Sequence, residues 1–476
     1  MTSDHTPQHG PRNLAARTVT AVLSTAGLAL TIVLVVTGLP QRVVQALQGP
    51  TPALTAVQVA PVEPERILAC MGPALSFGTQ VAAPVGYGAA TTMVSGPSAV
   101  LQSVTETDVQ DAFSLEPVPV PEPLVIVSQP ADAGALAGSS FQQLDNQNVR
   151  GLALSECQEP RTDTWLVGAD TTTGRQAVLS LTNPGAVLAT VNVEVFGQSG
   201  SISSPLGQGI LVAPGAQRTF SLAGFAPDEP RPVLRISAQG TGVVTALHYS
   251  IVRGLEADGL SVITGQPEPG TMRVITGLYS PPEDVIGPVR GKEGYADVGG
   301  LLRVLAPDED AEVSIRIVKP GFSDITTKLS LTAGQVGDIA LDEIGAGDYS
   351  IIVESDVPVV AGVRTSVGND TRTDTSWVGS SYPVTNETAF SVPGIGETRL
   401  TLTNPGSEAI TVTLDGQPTS VAAGAMVVRP ISAGDHTLSA DGPVYAVVSA
   451  KAETIVGHMQ VLPAPVAQEP VTLRVR

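Results

Sequence analysis

From Leu179 the chain alternates apolar and polar residues. Leu179 and Leu181 would share one face of a strand, and Ser180 and Thr182 the other. The alternation stops at Asn183-Pro184-Gly185. Proline presets φ, glycine accepts positive φ, and an asparagine side chain can bond its own backbone two residues on. It resumes in "LATVNVEVF", with Val191, Val193 and Val195 on one face and Asn192 and Glu194 on the other. The pattern predicts a β-hairpin. Further strands flank Pro214-Gly215 and then Gly240 and Gly242. About six strands in about 75 residues, each bounded by turn residues, predict an antiparallel sandwich.

The same grammar recurs. "LSLTNPG" at 179–185 returns as "LTLTNPG" at 400–406, 221 residues later. The second corner is Asn404-Pro405-Gly406, and a divergent middle copy turns at Ala306-Pro307-Asp308. A shared preamble, "RTDTWLVG" at 161–168 and "RTDTSWVG" at 372–379, carries the only tryptophans, Trp165 and Trp377. Both are expected to be core anchors, each in its own sandwich. The asparagine-proline-glycine runs read as structural turns, because the middle copy keeps the hairpin without them.

The first forty residues follow another pattern. Between Arg17 and Arg42 lie 24 uncharged residues, "TVTAVLSTAGLALTIVLVVTGLPQ". As a helix they would span roughly 36 Å, against about 30 Å for a bilayer core. No small-residue cleavage site follows, so the expectation is an uncleaved signal anchor. Arg12 and Arg17 precede the span and place the N-terminus in the cytoplasm, with the bulk of the chain outside. Cys70 and Cys157 are the only cysteines. In an oxidising compartment they are expected to form a disulfide.

Composition narrows the partners. The net charge is −20, and only four of the 25 basic residues are lysine. So acidic a surface repels phosphate backbones, which excludes nucleic acid as a partner. The membrane is met through the N-terminal helix, and an envelope protein or cell-wall glycan is the expected exterior partner. No cofactor is implied.

The chain is similar to an actinobacterial family of single-pass membrane-anchored (or secreted) envelope proteins of unknown function with tandem immunoglobulin-like β-repeats. The resemblance rests on the N-terminal span, "CMGP", the cysteine ahead of "TDTWLVG", and "LSLTNPGAVLATVNVEVFGQSG" followed by "LVAPGAQRTFSL". It implies an address and supplies no catalytic residues.

Common catalytic signatures do not occur: there is no H-E-x-x-H, G-x-S-x-G or phosphate-binding loop. His248, His436 and His458 stand isolated in strand-like text and read as packed or surface residues. The acidic run "APDEDAE" offers Asp308 and Asp310 as candidate calcium ligands, although it lacks the usual ligand spacing and reads equally as a solvated turn. The function expected is a non-catalytic envelope module for structural or protein/glycan interaction. The alternative is a glycan-active or acyl-transfer enzyme whose site is assembled from distant loops.

The expected organisation is all-β, with tandem immunoglobulin-like antiparallel β-sandwiches after one transmembrane helix. Residues 1–17 form a cytoplasmic tail, 18–40 the helix and 41–66 a Pro/Ala-rich stalk. Residues 67–160 form a β-rich domain containing both cysteines, and 161–259 the first repeat. A connector spans 260–298, and repeats two and three span 299–368 and 369–476.

Overall fold

The computed structural model describes residues 55–59, 65–77, 84–96, 99–103, 109–111, 118–120, 122–129, 135–465 and 471–475. The expected cytoplasmic tail, the transmembrane helix and most of the stalk lie outside the described residues. Among the described residues, no helix is long and apolar enough to cross a membrane. The chain divides into two compact units, one of residues 1–61 with 468–476 and one of 62–467. In the first, Thr55–Val59, within the expected stalk, pairs antiparallel with Val471–Val475.

The second unit is built from antiparallel sheets. In the N-terminal part, Arg66–Cys70, Leu124–Ser128, Val100–Ser103 and Val109–Asp111 form one sheet. Arg150–Glu156, Ala137–Asp145, Ala90–Ser95 and Val118–Val120 form another. The Cys70–Cys157 disulfide joins the ends of two strands, one from each sheet. It closes an 87-residue separation, worth about 4–5 kcal/mol on the loop-entropy account.

The first repeat is a two-sheet sandwich. Arg175–Asn183 lies between Ala216–Ser221 and Val244–Arg253, and Glu256–Thr264 forms the outer edge. The facing sheet contains Asp163–Val167, Val233–Gln239 and Ala189–Gly197. Leu179, Leu181, Val191, Val193 and Val195 all lie in its core, as the alternation requires. The third repeat has the same two-layer plan, with Glu397–Thr403 in one sheet and Ile410–Leu414 in the other.

The middle repeat borrows strands on both sides. Its 22-residue strand Gly347–Gly368 bends through both layers. One end pairs with Ala311–Val318 and with Gly270–Ser280 from the expected connector. The other end pairs with Leu301–Leu305 and with Thr373–Gly379, the second preamble. The middle unit thus reaches beyond the expected 299–368 in both directions, because a sandwich this small completes its two sheets with flanking segments. The connector also holds an α-helix, Glu283–Arg290. Its acids Glu283 and Asp284 sit in the first turn and Arg290 in the last, matching the helix dipole.

The four parts of this unit meet at one place. Arg150–Glu156, Glu256–Thr264, Thr373–Gly379 and Ile455–Gln460 are each the outer edge of a different sheet or pair with only one neighbour in it. Each touches the next, and the last touches the first, so four edges close a ring. Edge strands carry unpaired N–H groups, which cannot be buried without acceptors. Asp374 supplies them. Its Oδ1 accepts from Leu260 N and Thr375 N, both at 2.9 Å. Its Oδ2 accepts from Leu152 N and Val456 N, both at 3.0 Å. One carboxylate, 1% exposed, ties all four edges together. Gly151 makes room, since a Cβ there would lie 2.3 Å from Asp374 Oδ1.

Other side chains lace the same ring. Glu156 accepts from Gln460 N at 2.9 Å and from Thr264 Oγ1 at 2.6 Å. Asp258 accepts from Thr373 N at 2.7 Å and from Arg253 Nε at 2.7 Å. Trp377 N donates to Ser261 Oγ at 3.0 Å.

Replacing Asp374 with Asn keeps the volume but turns two of four acceptor positions into donors facing N–H groups. Two orphaned donors, at about 1–3 kcal/mol each, should lower unfolding stability by about 3 kcal/mol. Chemical denaturation of Asp374→Asn beside Asp163→Asn, whose carboxylate faces one arginine at the surface, checks this. Equal and small losses for both would contradict the junction.

Candidate functional site

The repeated corners are built alike. Asn183 is fully buried and Asn404 2% exposed. Asn183 Nδ2 donates to Val187 O at 2.8 Å and Val212 O at 3.0 Å, and its Oδ1 accepts from Gly185 N at 3.0 Å. Asn404 repeats this with Glu408 O at 2.7 Å, Val421 O at 3.2 Å and Gly406 N at 2.9 Å. Each amide thus closes its own turn and staples it to a neighbouring strand. Pro184 and Pro405 precede the glycines whose N–H groups are captured. The middle corner lacks the asparagine and is tied from the other side: Asp310 Oδ1 accepts from Ala333 N at 2.8 Å.

That bond gives Asp310 a structural task. Asp308, two residues away at the same corner, lines a cleft. Among the described residues, no group of three or more histidine, cysteine or carboxylate side chains is placed to hold a metal.

Both tryptophans are buried, Trp165 to 2% and Trp377 to 3% exposure. They stand at seams rather than each inside its own sandwich. Trp377 packs into the first repeat's core, against Gly168, where a Cβ would come within 2.8 Å of the indole. The Arg303 guanidinium covers it at 4.7 Å from the ring centroid. Arg303 itself is 1% exposed. It pairs with both oxygens of Asp338 at 3.0 and 3.1 Å, and donates to Ala169 O and Pro230 O at 2.8 and 2.9 Å. Trp165 stacks on Phe196 at 5.8 Å and packs with Leu305, Val336 and Val360 of the middle repeat. The cause is the strand exchange: the second preamble belongs to the middle repeat's sheet, so its indole faces backwards in sequence.

Two clefts open beside corners. The first, of ≈ 480 Å³, lies between the first repeat's outer sheet and the middle corner. Asp163, Glu194, Arg235, Glu268 and Asp308 line it, above buried Trp165 and Phe196. Arg235 is bound to Asp163 Oδ2 at 2.6 and 3.0 Å, and that bond raises its pKa further above the ordinary arginine value. The second, of ≈ 700 Å³, is walled by Asn404-Pro405-Gly406, by Asp441-Gly442-Pro443, and by Met272 and Tyr445. The middle of the long strand, at Asp356-Val357-Pro358, and the turn at Asp441-Gly442-Pro443 are counterparts. Each aspartate accepts a backbone N–H from the strand after its corner, Glu312 at 3.0 Å and Thr411 at 2.8 Å. Equivalent segments therefore border both clefts.

DUF5719, described as a family of unknown function, matches residues 104–433. The chain belongs to that family. The DUF5719 match takes in the junction's first three strands, the first repeat and the first cleft. No curated protein matches. Among solved structures, one described as "Biofilm associated protein - BSP domain" is 6% identical over 88% of this chain and 100% of its own, with a TM-score of 0.13. Another, "Crystal structure of tetra-tandem repeat in extending region of large adhesion protein", is 9% identical over 83% of this chain and 98% of its own, at 0.10. Scores that low carry no argument.

In this DUF5719 chain the three described histidines each make contacts that tie strands together. His458 Nδ1 lies 2.9 Å from Ser376 Oγ and its Nε2 3.0 Å from Gly277 O. A serine beside an imidazole is the beginning of acyl-transfer machinery. Here the pair is buried within the four-strand ring, and the imidazole's second nitrogen meets a carbonyl rather than an orienting carboxylate. His248 sits between Leu75 N and Ser180 Oγ, each at 3.4 Å. His436 braces a hairpin through Asp415 at 2.7 Å.

Two predictions follow from these placements. Asn183→Ala and Asn404→Ala should each cost about 2 kcal/mol, by orphaning one buried strand carbonyl, Val212 O or Val421 O, and freeing the turn, with the strand content unchanged by circular dichroism. Burial also lowers the pKa of both His248 and His458 to about 4, from 6.5. Above pH 7 neither folded nor unfolded chain binds these protons, and stability is full. Below 6.5 the unfolded chain takes them and the folded one refuses, so stability falls until pH 4. The loss approaches about 3 kcal/mol per histidine. Urea midpoints across this range should decline, and His248→Gln should shrink the decline by roughly half.

Proposed function

We propose that this chain is a non-catalytic module of the cell envelope. Its N-terminal segment, 18–40, anchors it in the membrane with the tail inside, and the β-body stands outside. The uncharged run and the paired cysteines support that placement. The body offers an envelope protein a rigid surface whose clefts lie beside the corners.

One observation carries the reading. The buried side chains at the junction that could do chemistry, Asp374, Glu156, Asp258 and the Ser376–His458 pair, are spent on joining strands. What faces outward is framed by turns. A protein partner fits the first cleft better than a sugar, because both rings at its floor are buried and offer no open face for stacking.

The test is site-directed crosslinking in intact cells. A photoreactive residue at exposed Glu194 or Asp308 should give a discrete adduct with an envelope protein, and the same residue at Glu453 should not. Adducts with wall glycan alone would favour the glycan partner, and turnover of glycan or acyl substrates by purified chain would sink the non-catalytic reading. Protease added outside the cell should digest the β-body and leave the N-terminal tail protected.

A further inference from the structure

We infer that the strand Ile325–Leu331 is a self-complementary edge through which two copies of this chain pair. The strand itself lies outside the clefts, and only Asp308 at the neighbouring corner is shared with the first. The strand is seven residues long and pairs on one side only, with Ala311–Val318. Ile325, Thr326, Thr327, Lys328 and Ser330 are exposed. It carries neither proline nor acid: its sequence is "ITTKLSL". Among the described residues, other outer edges are shorter, interrupted or less exposed, and Ala216–Ser221 is mostly half-buried. Gly200–Ile202 and Ile210–Val212 are three residues each, and Gln417–Val421 contains Pro418.

The occupant follows from the order of residues. In an antiparallel pair about a two-fold axis, residue Thr327 faces its own copy. Thr326 then faces Lys328 of the other chain, and exposed Ile325 faces half-buried Leu329. Both apolar pairs lie on the face that Leu329 and Leu331 already turn towards the middle repeat's core. A lysine normally guards an edge. Here it selects the register, because any pairing centred on Lys328 would oppose like charges.

Charge supports a second copy. Two chains of net charge −20 repel, so they should meet where acidity is least. Two of the chain's four lysines, Lys319 and Lys328, lie on this hairpin. In the two-fold arrangement, the exposed acids Asp308, Glu309 and Asp310 at one end of the strand pair come alongside the other copy's hairpin tip, which bears Lys319 and Phe322, 67% exposed. Seven residues a side is below a standard interface of about 800 Å² per partner, so the dimer is weak and dissociates on dilution.

Sedimentation velocity of the full chain in detergent, over a wide concentration range, tests this. The wild type should dimerise with rising concentration. Thr327→Lys and Thr327→Glu each place like charges opposite one another and should weaken association by roughly tenfold or more. An equimolar mixture of the two should restore it. Thr327→Cys should give a covalent dimer on oxidation. Thermal melts confirm that each variant folds, since position 327 is exposed. A wild type that stays monomeric throughout, single variants that dimerise as well as it does, or a mixture that fails to recover would each overturn the inference. So would a monomeric wild type that binds an acidic extended peptide more tightly after Thr327→Lys.

Discussion

A carboxylate with four N–H groups on it organises this molecule. Asp374 has no cation beside it among its hydrogen-bond partners; every partner is a backbone N–H. Burial pushes its pKa well above the ordinary value, and the four donors pull it back. The geometry favours the anion, because all four hydrogens point at its lone pairs and a proton would displace one of them. The alternative for the protein is worse. Without an acceptor, four edges would each bury an unpaired donor, and sheets with open edges do not stay apart. The sandwiches are therefore not beads on a string. Each surrenders one edge to a common centre, where one side chain bonds all four.

The same tetrapeptide, Arg-Thr-Asp-Thr, begins both preambles, yet its two aspartates have different fates. Asp163 stays within its own repeat, bonded diagonally to Arg235 on the neighbouring strand. Asp374 turns inwards, because its strand pairs with the preceding repeat, at Gly362–Gly368. A change of partner strand converted a surface ion pair into the central acceptor. It also moved Trp377 from its own sandwich into the first repeat's core, where Arg303 covers it and reaches the carbonyls at that repeat's end. Arg303 is costly to bury. Its guanidinium is satisfied by a bidentate carboxylate and three carbonyls, so it fixes the angle between two repeats as well as filling space.

Local features were legible in the sequence and long-range ones were not. Alternation and turn chemistry placed the hairpins at Asn183 and Asn404, and the cysteine pairing followed from there being two. The short helix Glu283–Arg290 escaped, although proline before two acids and glycine after an arginine mark its ends. The strand exchange around residues 270–280 and 373–379 escaped for a stronger reason. Pairing across sheets depends on which edges remain unfilled, and no local period records that. The sole trace was an aspartate set among threonines in a segment otherwise fit for a buried strand, repeated with its tryptophan. The tyrosine, proline and methionine around the second cleft left no pattern at all, since they converge from three distant segments.

The junction also bears on where a partner can act. Packing four edges around a buried acceptor makes the centre rigid and removes its hydrogen-bonding groups from any ligand. The turns at the far ends of the hairpins lie outside that ring. Those turns are where the three copies differ: one corner uses Asn183, one Asp310 and one Asn404 to reach the same backbone reversal. A corner that can be closed in more than one way leaves its neighbouring residues free to change. The wall of the first cleft could therefore acquire Glu194, Glu268 and Asp308, and that of the second Met272 and Tyr445, with the same reversal kept beneath. Corners that differ between the copies and one shared centre are two consequences of one arrangement of edges.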